Sequence, residues 1–350
     1  MSVFRVSIIL GKPLSHWKTK MPKIVVVTGA GAGVGRATAI EFAKGGYDTA
    51  LLSRDPERLE ALAQVVRKLG RRALPISTDV AKADQVETAA VRVEEELGPI
   101  DTWVNVAMAT VFAPVADLTP QEVLRATEVT YLGQVYGMMV ALKLMRVRRR
   151  GTIVNVGSAL AYRSVPLQSA YCGAKAAIRG FTDSLRSEII HDGHDIHISM
   201  IHLPAVNTPQ FDWALNKTKH RAQPIAPIFE PEVAARAIFF GATHRRREIW
   251  LGYSTIQAIV GNRIAPGLLD RFLASKGYSG QLSRTPLPPD APSNLFEPVA
   301  GHATSHGRFD DKAKKTSWEF FTDRHRNAFL LAFAGAGMVL ISSFFSRRLH

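Results

Sequence analysis

Short apolar runs alternate with longer amphipathic stretches along most of this 350-residue chain, and turns rich in glycine or polar residues separate them. The apolar runs have the length of strands buried on both faces, and the amphipathic stretches have the length of surface helices. This alternation is typical of a doubly wound parallel sheet with helices on both faces, so the sequence predicts an α/β fold. The predicted strands are Lys23–Val27, Thr49–Leu52, Ala73–Ser77, Thr102–Val106, Thr152–Val156, Ile196–Ile201 and Glu248–Leu251. The predicted helices are Gly35–Lys44, Pro56–Leu69, Ala83–Leu97, Pro120–Arg146, which could be two pieces, Ala170–Ile190 and Pro231–Thr243.

The same pattern divides the chain into segments. Residues 1–22 form an N-terminal extension whose apolar patch, Val6–Leu10, adjoins Arg5 and lacks a small-residue cleavage signature, so no signal peptide is predicted. Residues 23–276 hold the apolar material of one large domain. Residues 277–326 are rich in proline and glycine among polar residues, which predicts a mobile linker.

The last segment, residues 327–346, contains no charged residue, and Arg326 and Arg347 flank it. A helix of this length rises about 30 Å, the hydrocarbon thickness of a bilayer. The segment is therefore a candidate transmembrane helix, and we expect a membrane-anchored protein whose main domain faces the cytoplasm. Its glycines and serines leave an alternative open, namely a buried or dimer-forming helix in a soluble cytoplasmic protein. Because both flanks are basic, the positive-inside rule does not decide the orientation.

Composition excludes several classes of function. The single cysteine, Cys172, rules out an intramolecular disulfide and a thiolate cluster, and it favours a reducing compartment. The formal net charge is +14, but the basic residues are spread through helices instead of alternating with aromatic residues, so no nucleic-acid partner is predicted. The histidines of His191–His197 fall in a helix-to-strand connection at the edge opposite the candidate site, so we expect a solvated loop and no metal site.

A glycine-rich turn, Thr28 to Gly35, joins the first predicted strand to the first predicted helix. Gly29 permits a tight turn, Gly33 lets the backbone approach a phosphate, and Gly35 lets the helix pack on the strand. With Thr28 and Val34, these residues predict a pyrophosphate site at the helix N-terminus. The alternative is a plain strand-to-helix turn.

The ends of the second and third strands indicate which dinucleotide is bound. Ser53 stands where NAD sites place an acid for the ribose hydroxyls, and the neighbouring Arg54 can pair with a 2′-phosphate. NADP(H) is therefore the preferred cofactor, with NAD(H) as the alternative. Asp79 and Val80 follow the third strand, where we expect the adenine to bind, although Asp79 could instead cap the next helix.

Tyr171 and Lys175 lie one helical turn apart, and Ser158 lies thirteen residues before Tyr171 at the end of a predicted strand. A lysine at this spacing projects from the same helix face as the tyrosine, so its ammonium is expected to lower the pKa of the phenol. We therefore expect Ser158 to hold a substrate carbonyl, Tyr171 to deliver the proton and Lys175 to bind the nicotinamide ribose. The glycine pattern of a hydrolase nucleophile turn is missing around Ser158, which argues against acyl transfer.

These motifs resemble the short-chain dehydrogenase/reductase family, in its single-domain branch, over roughly residues 23–252. The resemblance implies a Rossmann-like fold. It also implies that Asn155 belongs to the strand leading to the catalytic serine, and that Thr208 in the segment Pro204–Thr208 binds the nicotinamide carboxamide.

The chain departs from the family pattern in two places. Where the family usually has Asn-Asn-Ala-Gly, this chain has Asn105-Val106-Ala107-Met108; the final glycine is lost, while Asn105 remains to fix the strand beside the cofactor. Where the family has a fourth catalytic residue, an asparagine, this chain offers Thr130, whose hydroxyl could bind a relay water.

The segment after Thr208 contains Phe211 and Trp213, which predict an apolar lid over a lipophilic substrate or, alternatively, simple core packing. Leu160, Met108 and Gln168 are expected to line the same cavity. The sequence thus predicts an NADP(H)-dependent oxidoreductase that interconverts a small carbonyl and an alcohol. The alternative is a catalytically weak dinucleotide-binding sensor or scaffold, motivated by Thr130 and Met108. The family resemblance implies a homo-oligomer formed through the helices Tyr131–Arg146 and Ala170–Ile190, with a monomer as the alternative.

Overall fold

The computed structural model describes residues 22–301 and 304–326, and its main element is a parallel sheet. The strands, numbered along the chain, are β1 (Ile24–Thr28), β2 (Asp48–Ser53), β3 (Ala73–Ser77), β4 (Thr102–Asn105), β5 (Val111–Phe112), β6 (Arg150–Ser158), β7 (Asp195–Leu203), β8 (Ala205–Val206), β9 (Leu215–Asn216), β10 (His220–Ala222), β11 (Ile228–Phe229), β12 (Glu248–Trp250), β13 (Leu282–Pro286) and β14 (Ala313–Lys314). The sheet has the strand order β12-β7-β6-β4-β1-β2-β3, and all its neighbouring strands are parallel. The predicted α/β, Rossmann-like sheet is therefore confirmed.

Helices cover both faces of this sheet. They are α1 (Gly33–Lys44), α2 (Pro56–Lys68), α3 (Ala83–Glu96), α4 (Pro120–Thr127), α5 (Gly133–Arg148), α6 (Ser169–Asp192), α7 (Gln210–Trp213), α8 (Pro231–Thr243), α9 (Tyr253–Ile264), α10 (Pro266–Gln281) and α11 (Trp318–Arg324). Buried side chains of α1, α2 and α8 pack on one face, and those of α3, α5 and α6 pack on the other. This two-sided burial explains why the strands are apolar at nearly every position.

The stretch predicted as Pro120–Arg146 is interrupted in the structure. A capping box at Thr119 and Glu122 begins α4, and a π-helical turn, Glu128–Leu132, joins α4 to α5. The wider turn changes the direction in which the following side chains point. Apolar periodicity alone does not reveal such a turn, because the pattern continues across it.

The segment predicted to be a linker packs against the domain instead. Its first part continues helix α10 through Gln281, and β13 then pairs with β10. Leu295 and Phe320 are buried, and β14 pairs with β11. The boundary placed at residue 276 thus falls inside a helix, and the proline-rich composition reflects an irregular path over the domain surface.

Across residues 22–301 and 304–326, no helix combines the length and hydrophobicity needed to cross a bilayer. The candidate transmembrane segment, residues 327–346, lies outside the described residues, as does nearly all of the N-terminal extension. Both remain predictions.

Candidate active site

A cavity of about 770 Å³ runs along the carboxyl ends of the sheet strands. The loops that follow parallel strands meet at this edge, which is where open α/β sheets bind ligands. Most residues predicted from the sequence line it, and so do Met108 and Leu160. The predicted site residues in the lining are Gly29, Gly33, Val34, Gly35, Ser53, Arg54, Asp79, Val80, Ser158, Gln168, Tyr171, Lys175, Thr208, Phe211 and Trp213.

The glycine-rich turn forms one end of the cavity. Gly29 and Gly33 have φ angles of +68° and +56°, values that side-chain-bearing residues rarely adopt. A Cβ on Gly35 would overlap the carbonyl oxygen of Gly29. No side chain caps the start of α1, and its first amide, that of Gly33, donates to the backbone carbonyl of Thr304 at 3.0 Å, so this helix end binds an acceptor. This cradle has the shape and polarity that a pyrophosphate needs.

Thr28 does not line the cavity. Its hydroxyl accepts hydrogen bonds from the amides of Val106 (3.0 Å) and Ala107 (3.3 Å), and its exposed fraction is 1%. Thr28 therefore ties the end of β1 to the loop after β4, and its contribution to the site is structural.

Two arginines line the cavity near the end of β2. Arg54 is the one predicted from the sequence, and Arg58, in the first turn of α2, was missed. Arg58 forms an ion pair with Asp55 (3.2 Å), and its guanidinium carbon lies 4.5 Å from the ring centroid of Trp213. The signal available in the sequence was the position of Arg58 just after the N-cap Asp55, which keeps its side chain near the strand end.

Asp79 lines the cavity but its carboxylate already has partners. One oxygen pairs with Arg125 at 2.7 Å, and the other accepts from the amide of Ala81 at 3.1 Å. The N-cap position of α3 is Lys82, so Asp79 does not cap that helix.

The candidate catalytic residues meet where β6 and α6 approach each other. Ser158 ends β6, and its hydroxyl accepts from the amide of Leu160 at 3.1 Å. Lys175 is buried, and its ammonium donates to the carbonyl of Val156 at 2.6 Å. Tyr171 keeps part of its surface open toward the cavity, with its ring centroid 5.6 Å from the Lys175 nitrogen.

The pKa shifts differ from the sequence prediction. Burial raises the pKa of the Tyr171 phenol, and a hydrogen bond with Ser158 opposes this only in part. Burial also lowers the pKa of Lys175 to about 7. An amine that is only partly charged near neutrality lowers the pKa of its neighbour less than a full ammonium would. The expected depression of the phenol pKa by Lys175 is therefore wrong for this arrangement, because desolvation dominates.

Thr130 and Asn105 lie behind the cavity wall, and each has an exposed fraction of 0%. The Thr130 hydroxyl donates to the carbonyl of Ala109 (2.8 Å) and accepts from the amide of the same residue (2.9 Å). A hydroxyl has a single hydrogen, so this one has none left for a relay water. The Asn105 amide donates to Asn155 at 2.9 Å and accepts from Trp103 at 2.8 Å, so it fixes two strands and does not line the cavity.

A buried histidine supports the turn that carries Ser158. His202 Nδ1 lies 3.3 Å from the carbonyl oxygen of Ser158, and Nε2 lies 3.4 Å from the hydroxyl of Tyr162. That hydroxyl donates to Glu248 at 3.0 Å. Burial lowers the pKa of His202, so the imidazole is neutral at neutral pH.

The substrate end of the cavity differs in part from the prediction. Phe211 packs against Phe112 and Phe309, with ring centroids 6.2 and 5.9 Å away. Trp213 instead lies against Arg58, near the end of β2, so it does not close the Ser158 end. Gln168 donates to Gln281 at 2.7 Å, which joins the cavity wall to α10.

Helices α9 and α10 form a wall of the cavity that the sequence analysis missed. The residues they contribute are Ser254, Gln257, Ala258, Leu269, Phe272, Leu273 and Gln281. A signal was present, because Leu268, Leu269, Phe272 and Leu273 recur at helical spacing.

Comparisons with known proteins agree with this geometry. A family model described as short chain dehydrogenase matches residues 23–219. The chain is 29% identical to an uncharacterized oxidoreductase, YxnA, of Bacillus subtilis, over 93% of each chain. It is 30% identical to estradiol 17-beta-dehydrogenase 11 of Mus musculus, over 73% of this chain and 83% of that protein. Among solved structures, it is similar to an alcohol dehydrogenase of the archaeon Thermococcus sibiricus complexed with 5-hydroxy-NADP, with a TM-score of 0.57 and 26% identity over 65% of this chain and 94% of that one.

Proposed function

Because the chain belongs to the short-chain dehydrogenase/reductase family and is an oxidoreductase of CH–OH groups that uses a nicotinamide dinucleotide, we propose that it reduces a small lipophilic ketone or aldehyde with NADPH. The observation that carries this proposal is the placement of Ser158, Tyr171 and Lys175 on one cavity that also contains the glycine cradle and Arg54.

The residues of the cradle fit a dinucleotide. A Cβ on Gly29 or Gly35 would collide with backbone atoms, so the turn keeps its tight path only with glycine there, and the start of α1, which has no side-chain cap, would offer backbone donors to a pyrophosphate that displaces Thr304. At the other end, Thr208 lines the cavity after β8, where it can hold the carboxamide of a nicotinamide. When bound, the dinucleotide supplies or accepts the hydride.

The preference for NADP(H) rests on charge. Ser53 brings no carboxylate to the end of β2, whereas Arg54 and Arg58 both line the cavity there, and the nearby carboxylate of Asp55 is paired with Arg58. A 2′-phosphate would form charge-assisted hydrogen bonds with such groups. The similar archaeal alcohol dehydrogenase was solved with 5-hydroxy-NADP, which agrees with this preference.

Ser158 and Tyr171 would have different roles at the carbonyl oxygen of the substrate. The hydroxyl of Ser158 would orient that oxygen, and the phenol of Tyr171 would donate the proton to it. Burial raises the pKa of the phenol, so Tyr171 keeps its proton at neutral pH and is ready to act as a donor. Lys175 would hold the ribose side of the cofactor and return a proton to Tyr171 after the reaction. A protonated phenol is the form that reduction of a carbonyl requires.

The substrate is expected to be apolar around its carbonyl group. Leu160, Phe272 and Leu273 line the cavity near the catalytic residues, and Gln168 adds one polar amide. Apolar walls with few polar groups favour a lipophilic substrate held by a small number of hydrogen bonds. The name of the mouse relative, an estradiol dehydrogenase, indicates a substrate of the same character for that protein.

A membrane tether through residues 327–346, with the catalytic domain facing the cytoplasm, is part of the proposal and rests on the absence of charge in that segment. A variant with three aspartates in this segment should move from the membrane pellet to the supernatant. Wild-type protein found entirely in the supernatant after detergent-free lysis would contradict the tether and favour a soluble protein.

The test of the reaction is a screen of apolar ketones and aldehydes that follows the loss of NADPH absorbance, with Tyr171→Phe as the matched variant. We expect turnover that falls about 100-fold or more in Tyr171→Phe while NADPH binding is retained. Tight NADPH binding without turnover on any carbonyl would favour the alternative, a dinucleotide-binding sensor or scaffold.

A further inference from the structure

Residues 294–301 cross the carboxyl edge of the sheet above the ends of β2 and β3, and three arginines hold their backbone. Arg54 donates to the carbonyls of Asn294 and Phe296, each at 2.5 Å. Arg58 donates to the carbonyls of Val299 and Gly301. Arg125, which also pairs with Asp79, donates to the carbonyl of Leu295 at 3.1 Å. The segment therefore takes its path from the arginines of the proposed 2′-phosphate and adenine subsites.

Residues 304–310 continue along the same edge toward the nicotinamide end. The amide of Gly33 donates to the carbonyl of Thr304 at 3.0 Å. Gly307 passes so close to Thr208 that a Cβ would lie 2.5 Å from its carbonyl oxygen. Asn207 donates to Asp310 at 2.7 Å. We call residues 294–301 and 304–310 together the roof segment, because they contact each proposed cofactor subsite in turn.

Buried side chains anchor the roof segment in the domain. Leu295 has an exposed fraction of 0% and belongs to the core under α3 and α5, and Phe309 is 7% exposed and packs against Phe211. The roof segment is thus fixed by packing as well as by hydrogen bonds.

The cavity lies beneath this roof. Asn294, Pro298 and Val299 line it together with Ser53, Arg54 and Arg58. Space for a ligand therefore exists while the roof is closed, and a ligand in that space would be shut off from solvent on the roof side. The amide of Gly33 is also a donor that a pyrophosphate would seek, so entry of a dinucleotide competes with Thr304 at this point.

We propose that the roof segment is part of the NADP(H) site: it closes over the 2′-phosphate end of the bound cofactor, and the cofactor leaves only when the roof opens. The inference rests on the proposed function, because it requires that NADPH binds in this cavity. The roof carbonyls orient Arg54 and Arg58, and a guanidinium with five donors can hold a carbonyl and a phosphate together. Bound phosphate also reduces the repulsion among the clustered arginines, so cofactor and roof stabilise each other.

The experiment measures the rate at which NADPH leaves the full-length protein, by stopped-flow fluorescence with excess NADP⁺ as the competitor. Leu295→Ala removes the buried anchor without touching a cofactor contact. Gly301→Ala strains the backbone of the roof segment at a φ of +135°, where a Cβ has open space. Because this change leaves the core intact, it serves as the second variant in case Leu295→Ala folds poorly. Leu185→Ala, in the same core cluster, is the matched control for lost packing.

We expect dissociation of NADPH to become ~10-fold faster in both roof variants and to stay near the wild-type rate in the control. NADPH should also slow cleavage by chymotrypsin after Phe296, which is 51% exposed, in wild type. Wild-type NADPH binding with equal dissociation rates in all variants would overturn the role of the roof alone. Absence of NADPH binding to wild type would overturn the proposed function, and the roof inference with it.

Discussion

The ammonium nitrogen of Lys175 lies 5.6 Å from the ring centroid of Tyr171, one turn earlier on α6. The pair is close enough to act together, but Lys175 points its nitrogen at the carbonyl of Val156 and is shielded from solvent. Desolvation therefore moves the two pKa values in the directions that favour neutral groups, upward for the phenol and downward for the amine.

The buried amine makes stability depend on pH. Burial lowers the pKa of Lys175 from 10.5 to about 7, so the unfolded chain binds more protons than the folded protein between these values. The free energy of unfolding should therefore rise with pH across this window, with a contribution of up to about 1.4 kcal/mol per pH unit. Lys175→Met should be more stable than wild type near the lower end of the window and should show a smaller slope in urea unfolding. Lys143→Met, on an exposed part of α5, should keep the wild-type slope.

Replacement of Arg54 should separate the two cofactors. Arg54→Ala should weaken NADPH binding about 10- to 100-fold, the effect of losing charge-assisted hydrogen bonds, and should change NADH binding by less than about threefold. Titration of both cofactors by fluorescence measures this. Arg54 also binds the roof carbonyls, so an equal loss for NADPH and NADH would show that the arginine orders the roof without contacting a 2′-phosphate.

The glycine cradle should not tolerate a methyl group. Gly35→Ala would place its Cβ against the carbonyl of Gly29, and we expect it to lower the free energy of unfolding by about 1–3 kcal/mol and to abolish NADPH binding. Gly180→Ala, on α6 with open space around the position, should instead raise it by about 0.4–1 kcal/mol. Denaturant unfolding of both variants gives the comparison. A Gly35→Ala protein that binds NADPH normally would show that α1 can move away from β1.

Thr130 should act on stability and not on proton transfer. Thr130→Val keeps the shape but leaves the amide and carbonyl of Ala109 without their partner, which should cost roughly 1–3 kcal/mol. The pH profile of kcat should stay unchanged, and Thr130→Ser should restore stability. A shifted pH profile of kcat in Thr130→Val would show that Thr130 takes part in proton transfer.

The ion pairs of His306, which attach the roof segment to the domain, should weaken as the pH rises. Partial burial alone would lower its pKa, but hydrogen bonds to Asp310 (2.7 Å) and Glu232 (3.0 Å) raise the pKa above the ordinary value. The charged form of His306 therefore stabilises the folded protein. This stabilisation is present in full below the unfolded pKa of about 6.5 and is lost as the pH rises through the higher pKa of the folded state. His306→Gln should remove this part of the pH dependence of unfolding. An identical profile in the variant would mean that the histidine is not charged in the folded protein.

The strands and helices were predictable from the sequence because burial gives each a regular apolar pattern. The pattern is continuous in strands that are covered on both faces and periodic in helices that pack by one face. The strand Ala73–Ser77 and the helix Pro231–Thr243 match the structure to the residue, and the other strands of the main sheet differ by one or two residues at their ends. The spacing of the motifs was also sufficient to predict that Ser158, Tyr171 and Lys175 line one cavity.

Side-chain direction was not predictable in the same way. Thr28, Asn105 and Thr130 stand at positions next to the cavity, yet each turns inward to satisfy buried backbone or amide groups. The proline-rich segment was misread for a related reason. It has no periodicity, and its path depends on contacts with arginines far away in the sequence, which no local pattern reveals.

Arg54 and Phe296 are joined across 242 positions of the chain. Contacts of such high sequence separation form late, since a large loop must first be closed. During synthesis, the strands and helices up to β12 can assemble before the covering residues leave the ribosome. A newly made chain can therefore complete its sheet while the groove beneath residues 294–301 is still open, and contacts such as that of Arg54 with Phe296 cover it afterwards.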